Sequence, residues 1–305
     1  MTPKAAKITT KKNRNKIRMR FGITGNINKN DLKKTLGELI SFLIKEKIVF
    51  SIDSAIKDKV TNKAHKKFCL PMSKVLANSD VIISLGGDGT FLNTAFVVGD
   101  REIPVLGVNM GTLGFMSEIV PSEMKKFIKQ ILKGKYIIKN RLVLSAELPD
   151  GKTMHGINEI VVDRAFSVRM MEIEIFYNDE KIVRFVGDGA IISTPTGSTG
   201  YSLSAGGPVI SMDSSDFIIT PICPHTLNVR PIIVPDSGVI KLKVHREIEA
   251  RVTADGQRFK SFKSPVEFTF KKAGHIVKVI HKPNFSYFKT LNEKLLWGKD
   301  LRKYK

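Results

Sequence analysis

The 305-residue chain holds only two cysteines, Cys69 and Cys223, far apart and in no Cys-x-x-Cys pair. That scarcity excludes a disulfide scaffold, a zinc knuckle or an iron–sulfur site built from this chain alone, and it favours a reducing, cytoplasmic setting. Long apolar runs are missing too: no stretch of about 18 apolar residues occurs, so no transmembrane helix and no membrane partner are expected. Acid is in short supply, with 29 Asp and Glu against 50 Lys and Arg, a formal charge of +21. Such a balance suits polyanions (nucleotides, nucleic acid or a phospholipid surface) without choosing among them. No helix-turn-helix, RNP-type aromatic strand or zinc finger accompanies the basic residues, which disfavours direct nucleic-acid binding.

Eight basic groups, from Lys4 to Arg20, crowd the first twenty residues, which carry no acid and no apolar core of a secretory signal. Residues 1–17 therefore read as a flexible basic leader. Two common phosphate signatures also fail. Gly151-Lys152-Thr153 ends like a Walker loop, but Ala146 stands where the leading glycine belongs and the context is a hairpin turn. Neither Gly22 with Gly25 nor Gly87 with Gly89 completes Gly-x-Gly-x-x-Gly.

What is present falls into two halves of different period. Residues 18–133 alternate short apolar runs with helical stripes. Met19 to Ile23 reads as a strand, and Leu32, Leu36, Leu39, Ile40 and Leu43 form one face of a helix that Asn30 is placed to cap. Val81 to Leu85 and Pro104 to Val108 read as strands joined by a crossover helix over Phe91 to Val98, which makes the organisation βαβ and puts ligands at the carboxyl ends of the strands. A further helix is opened by Pro121 and stopped by Gly134. Over residues 134–282 the period becomes two, with expected strands near Ile137 to Leu148 and Thr153 to Asp163 and hairpin turns at Pro149-Asp150-Gly151 and Asn178-Asp179-Glu180. This half is expected to be mostly antiparallel. Residues 283–305 include a helical stripe, Tyr287, Leu291, Leu295 and Leu296, that could dock back on the first half. Both cysteines are expected to be buried and inert.

The chemistry centres on Gly86-Gly87-Asp88-Gly89-Thr90, directly after a strand and before a helix. Glycines there let the backbone take positive φ and bring N–H groups close to phosphate oxygens, beside a favourable helix N-terminus. A carboxylate in such a loop repels phosphate unless it binds Mg²⁺ or takes a proton from an attacking hydroxyl, so Asp88 points to phosphoryl transfer. The second signal is Thr194 to Pro208, dense in Gly, Ser and Thr, whose N–H and hydroxyl groups suit a pyrophosphate and a ribose.

In these motifs the chain resembles the NAD kinase family. The likeness rests on Gly86 to Thr90, Asn158-Glu159, Thr194 to Pro208, Thr220 to His225 with Arg230-Pro231, and Asp255-Gly256-Gln257. It implies a Rossmann-like parallel α/β N-terminal domain, a larger, mostly antiparallel β C-terminal domain, and Mg²⁺-dependent phosphorylation of NAD by ATP or polyphosphate in a homodimer or homotetramer. By the same likeness Asp88 is the base on the ribose 2′-hydroxyl, and Gly86, Gly87, Gly89 and Thr90 form the phosphate loop. Phe115 would pack on the adenine side, Asn158 and Glu159 would bond adenine and ribose, Thr199, Gly200, Tyr201 and Ser204 would line the NAD site, and Asp188 would reach it from a neighbouring subunit. One departure is Gly200, where relatives commonly carry Ala, a change expected to loosen the loop slightly. No metal ligand is identified. Two other readings stand beside this one: a lipid kinase of the diacylglycerol or sphingosine type, which shares the glycine loop, and a noncatalytic dinucleotide sensor that holds nucleic acid.

Overall fold

A computed structural model describes residues 19–111 and 114–296. The basic leader 1–17 and the loop residues Thr112 and Leu113 lie outside the described residues. Described α-helices are α1 (Leu32–Lys45), α2 (Met72–Ala77), α3 (Asp88–Val98), α4 (Pro121–Leu132), α5 (Tyr201–Ser204) and α6 (Tyr287–Leu295). None is long and apolar enough to cross a membrane.

The first half, joined by two strands from residues 134–282, builds a seven-stranded sheet in the order Cys69–Leu70, Val49–Asp53, Arg20–Gly25, Val81–Gly86, Val105–Asn109, Val277–His281, Ile137–Arg141, so the expected boundary at 133/134 is not the edge of this sheet. Neighbouring strands run parallel throughout except for the last pair, which is antiparallel. Parallel strands need apolar cover on both faces. On one face α1 and α4 bury Leu36, Leu39, Phe127 and Ile131 against Phe21, Ile23 and Ile83; on the other, α2 and α3 bury Val75, Phe91 and Ala95 against Ile82 and Val105. Asp31, not Asn30, stands at the N-cap of α1, and it makes no side-chain bond there.

The second half is an antiparallel sandwich. One six-stranded sheet runs Glu180–Gly187, Met171–Tyr177, Ile240–Val244, Val266–Lys272, Leu144–Glu147, Thr153–Gly156, and the other runs Ile232–Pro235, Asp216–Ile222, Gly189–Ser193, Glu159–Asp163, Glu249–Ala254, Arg258–Lys263. Their inner faces share one core that includes Ile173, Leu242 and Phe270 from the first sheet and Ile160, Ile192 and Val252 from the second. The molecule thus joins an N-terminal α/β part on a parallel sheet to a mostly antiparallel β part.

Two apolar stretches that look continuous are each divided between sheets. Ile137 to Leu148 breaks into Ile137–Arg141, which closes the first sheet with Val277–His281, and Leu144–Glu147, which enters the sandwich. Only Leu142 and Val143, themselves apolar, stand between the two pieces, so no polar turn marks the crossing. Thr153 to Asp163 breaks at Ile157 and Asn158. The short edge strands Cys69–Leu70 and Ile232–Pro235 and the charged edge strand Arg258–Lys263 carry too little alternating apolar pattern to announce themselves. Cys69 is only half buried and Cys223 is exposed, against the expected burial of both.

Candidate functional site

Strand register, more than any single residue, assembles the site. In the second sandwich sheet Ser193 pairs with Glu159 and Ala254 pairs with Ile160. Three motifs therefore finish side by side: Thr194 and the Gly/Ser/Thr segment beyond it, Asn158-Glu159, and Asp255-Gly256-Gln257. Thr194 locks the first two, donating its N–H to Asn158 O at 2.9 Å and its hydroxyl to Ile157 O at 2.6 Å.

Asp255 locks the third. Its side chain is fully buried and accepts the backbone N–H groups of Ile157 at 2.9 Å, Asn158 at 2.7 Å and Glu159 at 3.4 Å, with Arg258 at 3.2 Å. Ile157 and Asn158 lie between strands, so their N–H groups have no place in a sheet ladder, and a carboxylate acceptor is the strong way to satisfy them. Burial raises the Asp255 pKa, opposed by the three N–H groups and Arg258. Asp255 and Gly256 both lie at positive φ, +51° and +64°, so the chain turns tightly and delivers Gln257 across to the other half. There Gln257 Nε2 donates to Gly89 O at 2.9 Å, tying the sandwich to the glycine loop.

That loop sits at the carboxyl end of Val81–Gly86, and Asp88 opens α3. None of Gly86, Gly87 and Gly89 adopts positive φ. Close approach explains Gly86, where a Cβ would lie 2.2 Å from Thr90 Oγ1, whereas the space beside Gly87 is open. Asp88 is partly exposed and is gripped by the next loop, accepting from Phe115 N–H at 2.8 Å, Met116 N–H at 3.1 Å and Ser117 Oγ at 3.1 Å. Gly114 makes this grip possible, because a Cβ there would stand 2.1 Å from Asp88 Oδ1. Lys294 of α6 completes the surround at 3.5 Å. The sequence did not single out Lys294, since a lysine 206 positions from the loop carries no local signal; only the docking of α6 brings it in.

Glu159 is 7% exposed and its pKa is pushed up to about 7, first by burial and then by the neighbouring Asp255 carboxylate. It accepts the Tyr201 backbone N–H, while its Oε2 is buried without a hydrogen-bond partner. A Cβ on Gly200 would come within 3.0 Å of that oxygen, so the glycine leaves Glu159 room rather than simply loosening the loop. Because the folded state holds the Glu159 proton more tightly, its contribution to stability is complete below the usual carboxylate range and declines as the pH climbs to about 7. Glu159→Gln is expected to remove roughly 3 kcal/mol of that decline. Urea unfolding of both proteins from pH 4 to 8 measures it; parallel stability curves would refute the assignment.

Phe115 lies at the mouth of the same cluster, its ring centre 6.5 Å from that of Tyr287. Thr199, Gly200 and the Tyr201 backbone follow from Thr194, and Ser204 is exposed at the end of α5. Asp188 is not brought to this group. It sits at the opposite end of the strand Gly189–Ser193, ion-paired with Arg164 at 2.7 Å. The Tyr201 phenol points the same way: burial chiefly, then Asp163, Cys223 and Asp188, raise its pKa. A cavity of about 1130 Å³ lies elsewhere, between α1 and α4 among Lys33, Lys34, Lys45 and Lys126, and shares no residue with the site.

Residues 21–136 match the family model for the ATP-NAD kinase N-terminal domain and residues 157–282 that for the ATP-NAD kinase C-terminal domain. The chain is 36% identical over 295 residues to the NAD kinase of Flavobacterium psychrophilum, covering 93% of this chain and 100% of that protein. Among solved structures it is similar to yeast NADH kinase complexed with NADH, with a TM-score of 0.84 and 25% identity over 92% of this chain and 89% of that one. It is likewise similar to an NAD kinase from Archaeoglobus fulgidus in complex with ATP, with a TM-score of 0.73 and 25% identity over 91% and 99% of the two chains. A glycine loop at the end of a parallel sheet, stitched to a β sandwich, is here the framework of a kinase. More narrowly, the chain belongs to the NAD kinase family. The lipid-kinase and noncatalytic-sensor readings fall with that result.

Proposed function

We propose that this protein transfers the terminal phosphoryl group of ATP or polyphosphate to the 2′-hydroxyl of the adenosine ribose of NAD, giving NADP, with Asp88 as general base. The observation that carries the reading is the Gln257 bridge, which holds the Asp88 loop against the Asn158-Glu159 end of the sandwich. Residues 18–133 then serve the phosphoryl donor and 134–282 the dinucleotide, in a cytoplasmic enzyme.

The donor phosphates lie along Gly86, Gly87, Gly89 and Thr90, where the open side of Gly87 admits oxygens and the N-terminus of α3 favours negative charge. Three donors fix the Asp88 rotamer, so its carboxylate is aimed before substrate arrives. In the reaction the 2′-hydroxyl proton passes to Asp88, the ribose oxygen bonds to phosphorus, and the bond from phosphorus to the leaving oxygen breaks. Phe115 packs the adenine side, and Asn158, Thr199, Gly200, Tyr201 and Ser204 contact the dinucleotide. The orphan Oε2 of Glu159 is suited to a ribose hydroxyl. Asp188, remote within one chain, serves the site of a neighbouring subunit in a homodimer or homotetramer.

The donor set does not fit a resident Mg²⁺. Asp88 oxygens already face four donors, and no group of three or more His, Cys, Asp or Glu able to hold an ion occurs among the described residues. A divalent ion is therefore assigned to the donor, entering as part of the metal–triphosphate substrate. Incubation with NAD and MgATP or polyphosphate, with NADP read by a coupled dehydrogenase, tests the proposal. NADP is expected with at least one donor; phosphorylation of diacylglycerol in its place, or no NADP with either, would overturn it.

A further inference from the structure

The C-terminal helix α6 sends one side chain into the candidate site. Its Ser286 N-cap, the burial of Thr290 and Leu291, and a hydrogen bond from the Tyr287 hydroxyl to Ile210 O at 3.2 Å dock the helix on the molecule. Tyr287, Leu291 and Lys294 follow at i, i+4 and i+7, so the docking face that buries Leu291 also presents Lys294 inward. The ammonium lies 3.5 Å from Asp88 Oδ2 and 4.2 Å from the centre of the Phe115 ring, with the side chain only 23% exposed. Of the four donors around Asp88 this contact is the longest, and it is the one made by a side-chain cation rather than by the loop at 115–117.

We infer that Lys294 is a further catalytic residue, the cation that neutralises the phosphoryl group during its transfer. The inference rests on the proposed role of Asp88. If that carboxylate takes the 2′-hydroxyl proton, the attacked phosphorus lies within one hydroxyl of Asp88, where Lys294 is already parked between an aromatic face and the base. Phosphoryl transfer spreads charge over the equatorial oxygens, and a fixed cation beside them stabilises the transition state more than the separated substrates. Lys294 keeps its proton throughout: the hydroxyl proton goes to Asp88, the 2′-oxygen bonds to phosphorus, and the leaving oxygen departs with the rest of the donor. The position near the C-terminal end of α6 adds a favourable field for a cation.

The test uses full-length Lys294→Met, Lys294→Arg, Asp88→Asn and the Lys294→Met/Asp88→Asn double variant, each checked by thermal unfolding to be fully folded at the assay temperature. Lys294→Met is expected to lower kcat about 30-fold or more, with KM for NAD within about twofold, and Lys294→Arg to restore much of the loss. The double variant should fall within about threefold of Asp88→Asn alone, since both groups act on one step. A raised KM for NAD with unchanged kcat, or kcat for Lys294→Met within twofold of the parent, overturns the inference. If Lys294→Met is intact while Asp88→Asn is inactive, only the inference fails. If Asp88→Asn is active, the base assignment fails, and kcat of Lys294→Met still decides whether the cation acts. Should Lys294→Met unfold early, Lys294→Gln supplies the same measurement.

Discussion

Replacing Asp88 by Asn is expected to lower NADP formation about a thousandfold while NAD affinity changes less than about threefold, the range a positioned general base contributes. The substitution keeps the size of the side chain and removes its capacity to take a proton. It also turns an NH₂ toward one of two backbone donors, Phe115 N–H or Met116 N–H, so part of the grip from the 115–117 loop is lost. That loosening should appear as a modest change in thermal unfolding. Turnover by the coupled dehydrogenase assay and affinity by calorimetry separate the two effects. Should affinity collapse while the turnover of bound enzyme survives, Asp88 is a ligand contact and another group must accept the proton.

The largest effect on stability is expected at Asp255, which never touches the glycine loop itself. Asp255→Ala leaves the buried N–H groups of Ile157, Asn158 and Glu159 without this acceptor, removes the carboxylate from Arg258 and puts a residue other than Asn, Asp or Gly at φ +51°. About 4 kcal/mol should be lost, a fall in Tm of roughly 8 °C for a protein of this size. NAD affinity should fall with it, because Asn158 and Glu159 depend on those bonds for their placement. Asp255→Asn retains one oxygen acceptor and tolerates the left-handed backbone, so it should be distinctly milder. Calorimetric melting of the two variants checks the order; equal, small shifts would show that the turn at 255–257 is held by its neighbours and not by this carboxylate.

Much of the site was legible in the chain because the motifs are chemically unusual where they stand. A carboxylate among phosphate-loop glycines is one case, and a run of small hydroxyl residues between apolar strands is another. The reason offered for the loop glycines was physically incomplete, however. None of them takes a left-handed backbone, and Gly86 alone serves contact distance against Thr90, a distinction that composition cannot express. Gly114 illustrates the same point from the other side. No local pattern singles it out, yet the absence of its Cβ is what lets three donors close on Asp88.

Asp188 shows a second limit. It stands only five positions before Ser193, but an extended strand spans those positions end to end, so proximity in sequence became distance in space. The converse holds for Lys294 and Gln257, which lie far along the chain from the residues they touch.

By itself, the order of residues determined the alternation of helix and strand in the first half, the period-two pattern of the second, and the family signatures that mark the phosphate loop and the Gly/Ser/Thr segment. These are local properties, written within windows of a few residues. Tertiary structure alone decided which strand ends meet, that Asp255 anchors three backbone amides, that Gln257 bridges the halves, and that a C-terminal lysine faces Asp88. Pairing register and helix docking depend on burying apolar surface over the whole molecule, and no short window of sequence contains that sum.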